Sequence, residues 1–304
     1  MGPANITLSN ESAHAILREW LGTGINCRHI RPLLGGMCST VLEIGFDAPP
    51  YLAVVKLSTA PDYHFQVEAT SLDYLRRHSQ MKVPKVYFLR RAGDLLEYHI
   101  LVLERLPGVN LEQVTLTLQQ RRDIDYQLAD ILTELHSHHN DTYGLIDKYE
   151  SWIDEFNEQI SRWFDEGRRL LTPRSLELIP PLLNAMPQAL QPSGEPTLVH
   201  GDIWSANIII NKQADRWTVS GLIDPATQYA DVEYELAYLQ VFDTVTDAFF
   251  ERYYQTYLLR TGYEIRRQFY WLNTMLLHVV CFGSRSYIER TQSIAESLER
   301  SLGN

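Results

Sequence analysis

One stretch in the C-terminal half constrains this chain more than any other, because two apolar runs within it end in carboxylates. Residues 198–210 read Leu-Val-His-Gly-Asp-Ile-Trp-Ser-Ala-Asn-Ile-Ile-Ile, which places Asp202 after one run and Asn207 before a β-branched run. Residues 219–226, Val-Ser-Gly-Leu-Ile-Asp-Pro-Ala, end the second run at Asp224. Strand-like runs separated by turn residues predict a loop, a hairpin and a second loop. We expect this arrangement to bring two carboxylates and one carboxamide together.

These three side chains suit phosphoryl transfer. Transfer from ATP needs a base that orients the attacking hydroxyl and oxygen ligands that hold Mg²⁺. The spacing His-x-Asp-x-x-x-x-Asn is that of the protein-kinase catalytic loop, and Asp224 stands where a metal-binding aspartate follows. We therefore predict Asp202 as the catalytic base and Asn207 with Asp224 as the Mg²⁺ ligands. The alternative is a hairpin whose polar residues only cap turns, which makes this spacing a coincidence.

A glycine pair in the N-terminal half is a candidate for phosphate contact. Residues 30–45 contain two strand-like runs joined by a turn with Gly35 and Gly36. Paired glycines allow backbone amides to approach phosphate oxygens. Most such pairs are plain hairpin turns, so this signal is weak unless other features accompany it.

A lysine within an apolar run supplies the stronger N-terminal signal. Residues 51–57, Tyr-Leu-Ala-Val-Val-Lys-Leu, read as a strand that carries Lys56. A lysine in a buried strand is costly unless it is paired. We predict that Lys56 contacts the α- and β-phosphates of ATP and that Glu68, on a helix over residues 65–77, is its ion-pair partner. The alternative is an edge-strand lysine that faces water.

The pattern changes from strands to helices after Leu106, where Pro107 and Gly108 follow. This change predicts a nucleotide-binding domain over residues 1–106 and a helical domain over residues 107–304. In kinase-like folds the purine contacts the main chain of such a connection. Glu104 and Leu106 are therefore hinge candidates through their main-chain groups, and Leu103 would form a wall of the pocket.

A long amphipathic helix over residues 117–136 ends next to several histidines. His136 and His139 raise the possibility of a zinc site, but no acidic residue or cysteine stands at ligand spacing. The preference of histidine for helix C-termini explains them without a metal.

Three residues near the catalytic stretch are candidates for contact with the acceptor. Asp231 and Glu233 follow Asp224 in the segment that faces the acceptor in kinase-like scaffolds, and Trp204 stands next but one to Asp202. An indole can stack on a sugar ring or a cation. The alternative is that Asp231 and Glu233 only cap a helix and that Trp204 belongs to the core.

Charge and composition limit the partners and the compartment. The formal net charge of −11 argues against nucleic-acid binding, which relies on clustered Lys and Arg, and it would attract a cationic acceptor. The sequence has three cysteines, no basic segment followed by an apolar leader, and no apolar run of 18 residues. We therefore expect a cytoplasmic protein that uses a small molecule, without a membrane partner.

The motifs together resemble the fructosamine (ketosamine) kinase family, within the aminoglycoside-phosphotransferase and protein-kinase-like superfamily. The resemblance covers the catalytic stretch, the glycine turn, Lys56, Glu68, the Leu-Glu-x-Leu hinge and a late pattern at Leu272, Asn273, His278, Phe282 and Gly283. It implies an α+β, protein-kinase-like two-lobed fold, with an antiparallel sheet plus helix in a small N-terminal lobe and a larger, mostly helical C-terminal lobe. It also implies the roles given above for Asp202, Asn207, Asp224 and Lys56, and places Glu235 where a residue that braces the catalytic loop is expected.

The same resemblance implies an ATP- and Mg²⁺-dependent kinase that phosphorylates a hydroxyl of a ketosamine or a related amino sugar. The segment at residues 142–147 is shorter than is usual in the family, and Ala206 and Ala230 replace common glycines. Two alternatives remain open: an aminoglycoside, choline or homoserine kinase on the same scaffold, and a nucleotide-binding pseudokinase. The complete set of Lys56, Asp202, Asn207 and Asp224 argues against the pseudokinase.

Overall fold

The computed structural model describes residues 6–33, 39–60, 64–146 and 148–303. Gly35 and Gly36 therefore lie outside the described residues. Contacts divide the chain into two compact units. The sheet unit comprises the chain up to Thr115 together with Ser205–Ala226, and the helical unit comprises Leu116–Trp204 together with Thr227–Asn304. The predicted division at residue 106 thus differs from this grouping in residues 107–115 and in the hairpin that carries Asn207 and Asp224.

The sheet unit contains an antiparallel sheet of five strands in the order β1-β2-β3-β5-β4. Its strands are β1 (Cys27–Pro32), β2 (Thr40–Phe46), β3 (Leu52–Ser58), β4 (Val86–Arg90) and β5 (His99–Glu104). Two helices accompany the sheet, α1 (Asn10–Leu21) and α2 (His64–His78). Helix α1 begins at Asn10, where the Ser9 hydroxyl accepts the Ser12 N–H at 3.0 Å and satisfies an otherwise unpaired amide.

Strand β3 lies in the middle of the sheet, and its alternating side chains divide between two environments. Val55 and Leu57 are fully buried in one apolar cluster with Ile16 of α1. Lys56 points to the opposite face, since successive strand side chains alternate. In the register, Lys56 stands opposite Val41 on one side and Leu101 on the other. The alternative of an edge-strand lysine is therefore wrong.

A second, three-stranded sheet of the same unit carries the predicted hairpin. Its order is β6-β8-β9, formed by β6 (Val109–Asn110), β8 (Ile208–Gln213) and β9 (Arg216–Leu222). Gly221 has a φ of 157°, and a Cβ there would lie 2.5 Å from the Lys82 carbonyl oxygen. The adjacent Leu222 N–H donates to this carbonyl at 2.9 Å. A side chain at position 221 would therefore push the base of the hairpin away from residue 82.

The helical unit contains most of the remaining elements. Its helices are α3 (Leu118–Leu135), α4 (Trp152–Gly167), α5 (Pro173–Ala189), α6 (Val232–Val241), α7 (Asp247–Tyr253), α8 (Tyr263–Phe282) and α9 (Arg285–Leu302). A short antiparallel pair joins β7 (Thr197–Val199) to β10 (Gln228–Ala230). No helix among the described residues is long and apolar enough to cross a membrane.

Aromatic packing forms the centre of the helical unit. Trp152 and Phe156 of α4 meet Tyr234 of α6 and Tyr270 of α8, with ring centroids 5.1–6.4 Å apart. All four side chains are at least nine-tenths buried. Contacts of this kind add specific geometry to apolar burial, so they fix the position of α6 relative to α4 and α8.

Candidate active site

Lys56 is held between two carboxylates within the sheet unit. Its Nζ lies 2.8 Å from Glu68 Oε2 on α2 and 2.8 Å from Asp224 Oδ1, which follows β9. The lysine side chain is 7% exposed and that of Glu68 is 11% exposed, whereas that of Asp224 is 33% exposed. The structure thus brings together three of the residues predicted to handle ATP and Mg²⁺. We call Lys56, Glu68 and Asp224 the lysine cluster.

The lysine cluster contains two acids and one base, and this imbalance appears in the pKa values. Burial opposes the charge of Lys56, but Asp224 and Glu68 outweigh burial and raise the pKa of Lys56 above its usual 10.5. Burial also raises the pKa of Glu68 to about 7, although Lys56 acts in the opposite direction. Lys56 therefore stays protonated at neutral pH.

The backbone presents Asp224 in an uncommon conformation. Its φ of 57° lies in the left-handed region, which costs a residue with a side chain about 1–2 kcal/mol. Main-chain hydrogen bonds on the preceding residues hold this turn in place: Leu222 donates to Lys82, and the Ile223 N–H donates to the Asn207 carbonyl at 2.9 Å. The second of these bonds places Asn207 beside the residue that precedes Asp224.

The oxygen donors at this turn fit a hard cation. Mg²⁺ prefers carboxylate and carbonyl oxygens, and it usually keeps several waters. Asp224 leaves a third of its side chain exposed although one of its oxygens contacts Lys56. Asn207 adds a carboxamide at the short helical turn Ser205–Asn207. The chemistry of both residues and the exposure of Asp224 are therefore compatible with the predicted metal, whereas Asn207 itself is buried.

The predicted hinge is already partly engaged by protein contacts. The Glu104 N–H donates to the Lys85 carbonyl at 2.8 Å, and the Glu104 carboxylate accepts the Lys85 N–H at 3.0 Å. The Leu106 carbonyl accepts a hydrogen bond from the Arg105 guanidinium. Leu103 is buried, as a wall residue should be. These contacts occupy the Glu104 N–H, whereas a carbonyl such as that of Leu106 can accept a second hydrogen bond.

In the helical unit, Asp202 lies on a loop that follows β7 and is held from α6. Gly201 has a φ of 89°, and its N–H donates to Glu235 Oε1 at 2.7 Å. The Asp202 Oδ1 accepts a hydrogen bond from the Tyr238 hydroxyl. Helix α6 thus holds both the backbone of this loop, through Glu235, and the side chain of the predicted base.

The buried histidine at the end of α3 belongs to the same support. His136 Nε2 lies 2.8 Å from Glu235 Oε2, and His136 Nδ1 lies 2.8 Å from the Tyr253 hydroxyl. Both ring nitrogens therefore have protein partners. Within the described residues there is no group of three or more His, Cys, Asp or Glu side chains arranged to hold a metal.

Asp231 and Glu233 require a correction, because both are buried and paired with arginines rather than open to an acceptor. Asp231 caps α6 by accepting the Glu233 N–H at 3.0 Å, and it pairs with Arg260 at 2.6 Å. Glu233 pairs with Arg266 at 2.6 Å and with Arg260 at 2.8 Å. Asp231 is 0% exposed and Glu233 is 1% exposed. These contacts favour the helix-capping alternative, and we call the four residues the arginine cluster.

The remaining substrate candidate and one missed residue lie near Asp202. Trp204 is half-buried, two residues after Asp202. Tyr238 had not been identified from the sequence. It stands three positions after Glu235 on α6, and residues three apart share a helix face. Once Glu235 was expected to brace the catalytic loop, this spacing could have indicated that Tyr238 faces the same loop.

Comparison with known sequences gives consistent matches. A family model described as fructosamine kinase matches residues 9–300. A probable ketoamine kinase of Vibrio parahaemolyticus is 28% identical over 254 residues, which cover 78% of this chain and 82% of that protein. A probable ketoamine kinase of Synechocystis is 26% identical over 258 residues, which cover 80% and 82% of the two chains.

Comparison with solved structures identifies the fold. A candidate fructosamine-3-kinase of Haemophilus somnus aligns with a TM-score of 0.76 at 22% identity, covering 95% of this chain and 97% of that chain. Aminoglycoside phosphotransferase APH(4)-Ia, in complex with ADP and hygromycin B, aligns with a TM-score of 0.71 at 16% identity, covering 95% and 98%. The predicted kinase-like α+β fold is confirmed.

Proposed function

This chain belongs to the fructosamine kinase family, and on that premise we propose that it transfers the γ-phosphate of ATP to a hydroxyl of a ketosamine or a related amino sugar. Membership makes the protein a small-molecule phosphotransferase; the donor, the metal and the acceptor are our proposal. The observation that carries it is the lysine cluster, in which one buried ammonium has two carboxylate partners at 2.8 Å. A pseudokinase would not require both the lysine cluster and the proposed base Asp202 in its sequence.

Lys56 and Glu68 bind and align the donor. Glu68 holds the ammonium on the sheet face opposite the apolar cluster of Val55 and Leu57, so that Lys56 presents its charge to the phosphates in a fixed direction. A charged group that is already in position does not need to reorganise during the reaction, which makes it more effective than a mobile one.

Asn207 and Asp224 are the residues that would hold Mg²⁺. When bound, this ion neutralises charge on the phosphates. The left-handed turn at Asp224 keeps the carboxylate exposed, and the hydrogen bond from Ile223 to the Asn207 carbonyl keeps the two ligands in neighbouring positions.

Asp202 orients the acceptor hydroxyl and accepts its proton. Glu235 fixes the loop backbone on which Asp202 lies. The half-buried Trp204 offers an aromatic face that suits a sugar ring or an amine close to the reacting hydroxyl. This pair of residues makes a small acceptor with a ring and an amine the best match.

A transfer assay with a panel of acceptors tests the proposal. The protein is incubated with Mg²⁺ and ATP and with ketosamines of lysine and of small amines, and products are followed by phosphorus NMR. Aminoglycosides, choline and homoserine serve as competing acceptors. We expect phosphorylation of a ketosamine with the highest kcat/KM. A higher kcat/KM for a competing acceptor would reassign the substrate, and nucleotide binding without any transfer would indicate a pseudokinase.

Loss of Lys56 supplies the matched control for this assay. Lys56→Met should abolish transfer, since it removes the ammonium that aligns the phosphates. Lys82→Met removes an exposed lysine from the same unit and should retain the wild-type rate. Equal rates in the two variants would contradict the role of the lysine cluster.

A further inference from the structure

The Tyr238 hydroxyl donates a hydrogen bond to Oδ1 of Asp202, the residue proposed as the base. We propose that Tyr238 is a positioning residue, which holds one carboxylate oxygen of Asp202 so that the other oxygen faces the acceptor hydroxyl. This inference rests on the proposed function and deepens it. It assigns a role to a residue that the motif comparison did not select.

Tyr238 can perform this role because its ring is fixed. Its side chain is 8% exposed, and the ring meets Phe242 edge-on at 5.1 Å between centroids. Phe242 in turn lies 5.1 Å from the ring of His278 on α8. A phenol packed in this way cannot follow the carboxylate if the carboxylate rotates. The hydrogen bond therefore selects one orientation of Asp202.

The loop and the side chain of Asp202 are fixed from one face of α6. Glu235 binds the Gly201 N–H at 2.7 Å, and Tyr238 binds the carboxylate one helical turn later. Rotation about the last side-chain bond of aspartate is otherwise broad. Glu235 contacts only the backbone of the loop, whereas the Tyr238 hydroxyl acts directly on one carboxylate oxygen. Together the two contacts restrict both the loop and this rotation.

The phenol remains a donor at neutral pH. Burial raises the pKa of Tyr238 well above 10, and the negative charge of Asp202 raises it further. A hydrogen bond to a charged acceptor is stronger than one between neutral groups. Because this hydrogen bond stabilises the reacting orientation of Asp202, its removal should lower kcat about tenfold to a hundredfold.

The same helix offers a matched control. Tyr234 lies one turn before Tyr238 and is also 8% exposed, but its hydroxyl is hydrogen-bonded to Asn273 and is influenced by Asp202 only through the charge of that carboxylate. Tyr234→Phe and Tyr238→Phe each remove one buried hydroxyl from α6. A general effect on the packing of α6 should therefore appear in both variants, whereas a positioning effect should appear only in Tyr238→Phe.

Steady-state kinetics of the two variants test the inference. For Tyr238→Phe we expect kcat to fall about tenfold to a hundredfold, while the KM values for ATP and acceptor change less than about twofold. Tyr234→Phe should stay within about twofold of the wild type in kcat. Melting temperatures measured alongside show whether either variant loses more stability than the one buried hydrogen bond that it removes.

Several outcomes would overturn the inference. They are a wild-type kcat in Tyr238→Phe, an equal fall in both variants, and a rise in acceptor KM that accounts for the whole loss in kcat/KM. Phosphotyrosine at position 238 after incubation with ATP would make this residue an internal acceptor instead. Crystal structures of the two variants give a readout that needs no turnover.

We expect the Asp202 carboxylate to rotate in Tyr238→Phe and to keep its orientation in Tyr234→Phe. If the wild type transfers phosphate to none of the acceptors, the proposed function fails. The crystallographic comparison then decides the inference by itself, and an unchanged carboxylate in Tyr238→Phe would refute it.

Discussion

The lysine cluster and the arginine cluster are both buried groups of charged side chains, but they differ in balance. In the lysine cluster, two carboxylates share one ammonium, and the Asp224 side chain remains one-third exposed. In the arginine cluster, two carboxylates meet two guanidinium groups, and both acids are at most 1% exposed. The first group has more carboxyl groups than cations and leaves one of them open to solvent, whereas the second matches two acids with two guanidinium groups and encloses both acids.

This difference separates a binding group from a structural one. A buried charge without full compensation raises the free energy of the folded protein unless a ligand supplies the missing charge. A cation bound at Asp224 would supply it. The arginine cluster has no such deficit, because Arg260 and Arg266 supply the hydrogen bonds and the charge that the two acids require. Burial of acidic residues alone would not have distinguished the two groups, whereas their charge balance does.

The largest effect is expected from opening the arginine cluster. Arg266→Met should lower the free energy of unfolding by about 3–5 kcal/mol, because it leaves buried Glu233 with only part of its compensation. Urea denaturation measures this change. Arg285→Met is the control, since Arg285 is 91% exposed, pairs with the exposed Glu289 at 2.7 Å, and such surface pairs contribute about 0–1 kcal/mol. A loss below about 1 kcal/mol for Arg266→Met would contradict a structural role for the cluster.

In the lysine cluster, removal of one carboxylate should lower the catalytic rate and leave the stability of the fold unchanged. Asp224→Asn should lower kcat about 10²–10³-fold at saturating Mg²⁺, because charge stabilisation at the phosphates is lost. Its melting temperature should remain near that of the wild type. Asp215→Asn, in the exposed turn of the same hairpin, should leave kcat unchanged. If Asp224→Asn retained more than about a tenth of the wild-type kcat, Asp224 would not be the metal ligand.

A smaller effect should appear in the acid dependence of stability. Burial alone would raise the pKa of Glu233, but hydrogen bonds from Arg266 and Arg260 outweigh it and lower the pKa below its usual 4.5. The stabilisation from this carboxylate is therefore complete above about pH 4.5 and is lost as the pH falls through the folded-state pKa. The difference in unfolding free energy between wild type and Glu233→Gln should be constant from neutral pH down to about pH 5 and shrink below it. A difference that grows on acidification would contradict this account.

The smallest effect is expected on nucleotide affinity when Asp202, the proposed catalytic residue, is removed. Asp202→Ala should bind a non-hydrolysable ATP analogue with Mg²⁺ within about twofold of the wild-type affinity, because Asp202 contacts the acceptor and not the nucleotide. Calorimetry measures this affinity. Asp224→Asn provides the contrast, since it should weaken binding of the same analogue. A large loss of affinity in a folded Asp202→Ala protein would make Asp202 a nucleotide or metal ligand.

Local patterns allowed part of the fold and site to be predicted. Lys56 was identified because an ammonium in an apolar strand needs a carboxylate partner, and Glu68 stands on the next helix. The start of α3 could also be predicted from the sequence, because Thr117 and Gln120 form a capping box within four residues. Such signals are confined to a few neighbouring residues or to one strand and the following helix.

Long-range neutralisation could not be predicted in the same way. From the sequence, Asp231 and Glu233 were candidates for acceptor contact or for helix capping, but Arg260 and Arg266, about thirty residues later, pair with them. Nothing in the spacing of these arginines indicates that partnership. The contact between Tyr238 and Asp202 is similar, because it depends on how α6 packs against the loop after β7.

The sheet unit is built from two separate stretches of the chain, and this separation delays its completion during synthesis on the ribosome. Strand β6 at Val109–Asn110 pairs with β8, which is made about a hundred residues later. At a translation rate of about 5–20 residues per second, the first strand waits on the order of ten seconds for its partner. During that time Lys56 can meet Glu68 but not Asp224. A nascent chain thus completes its lysine cluster only after residue 224 has left the ribosome, and a fragment that stops at residue 106 never completes it.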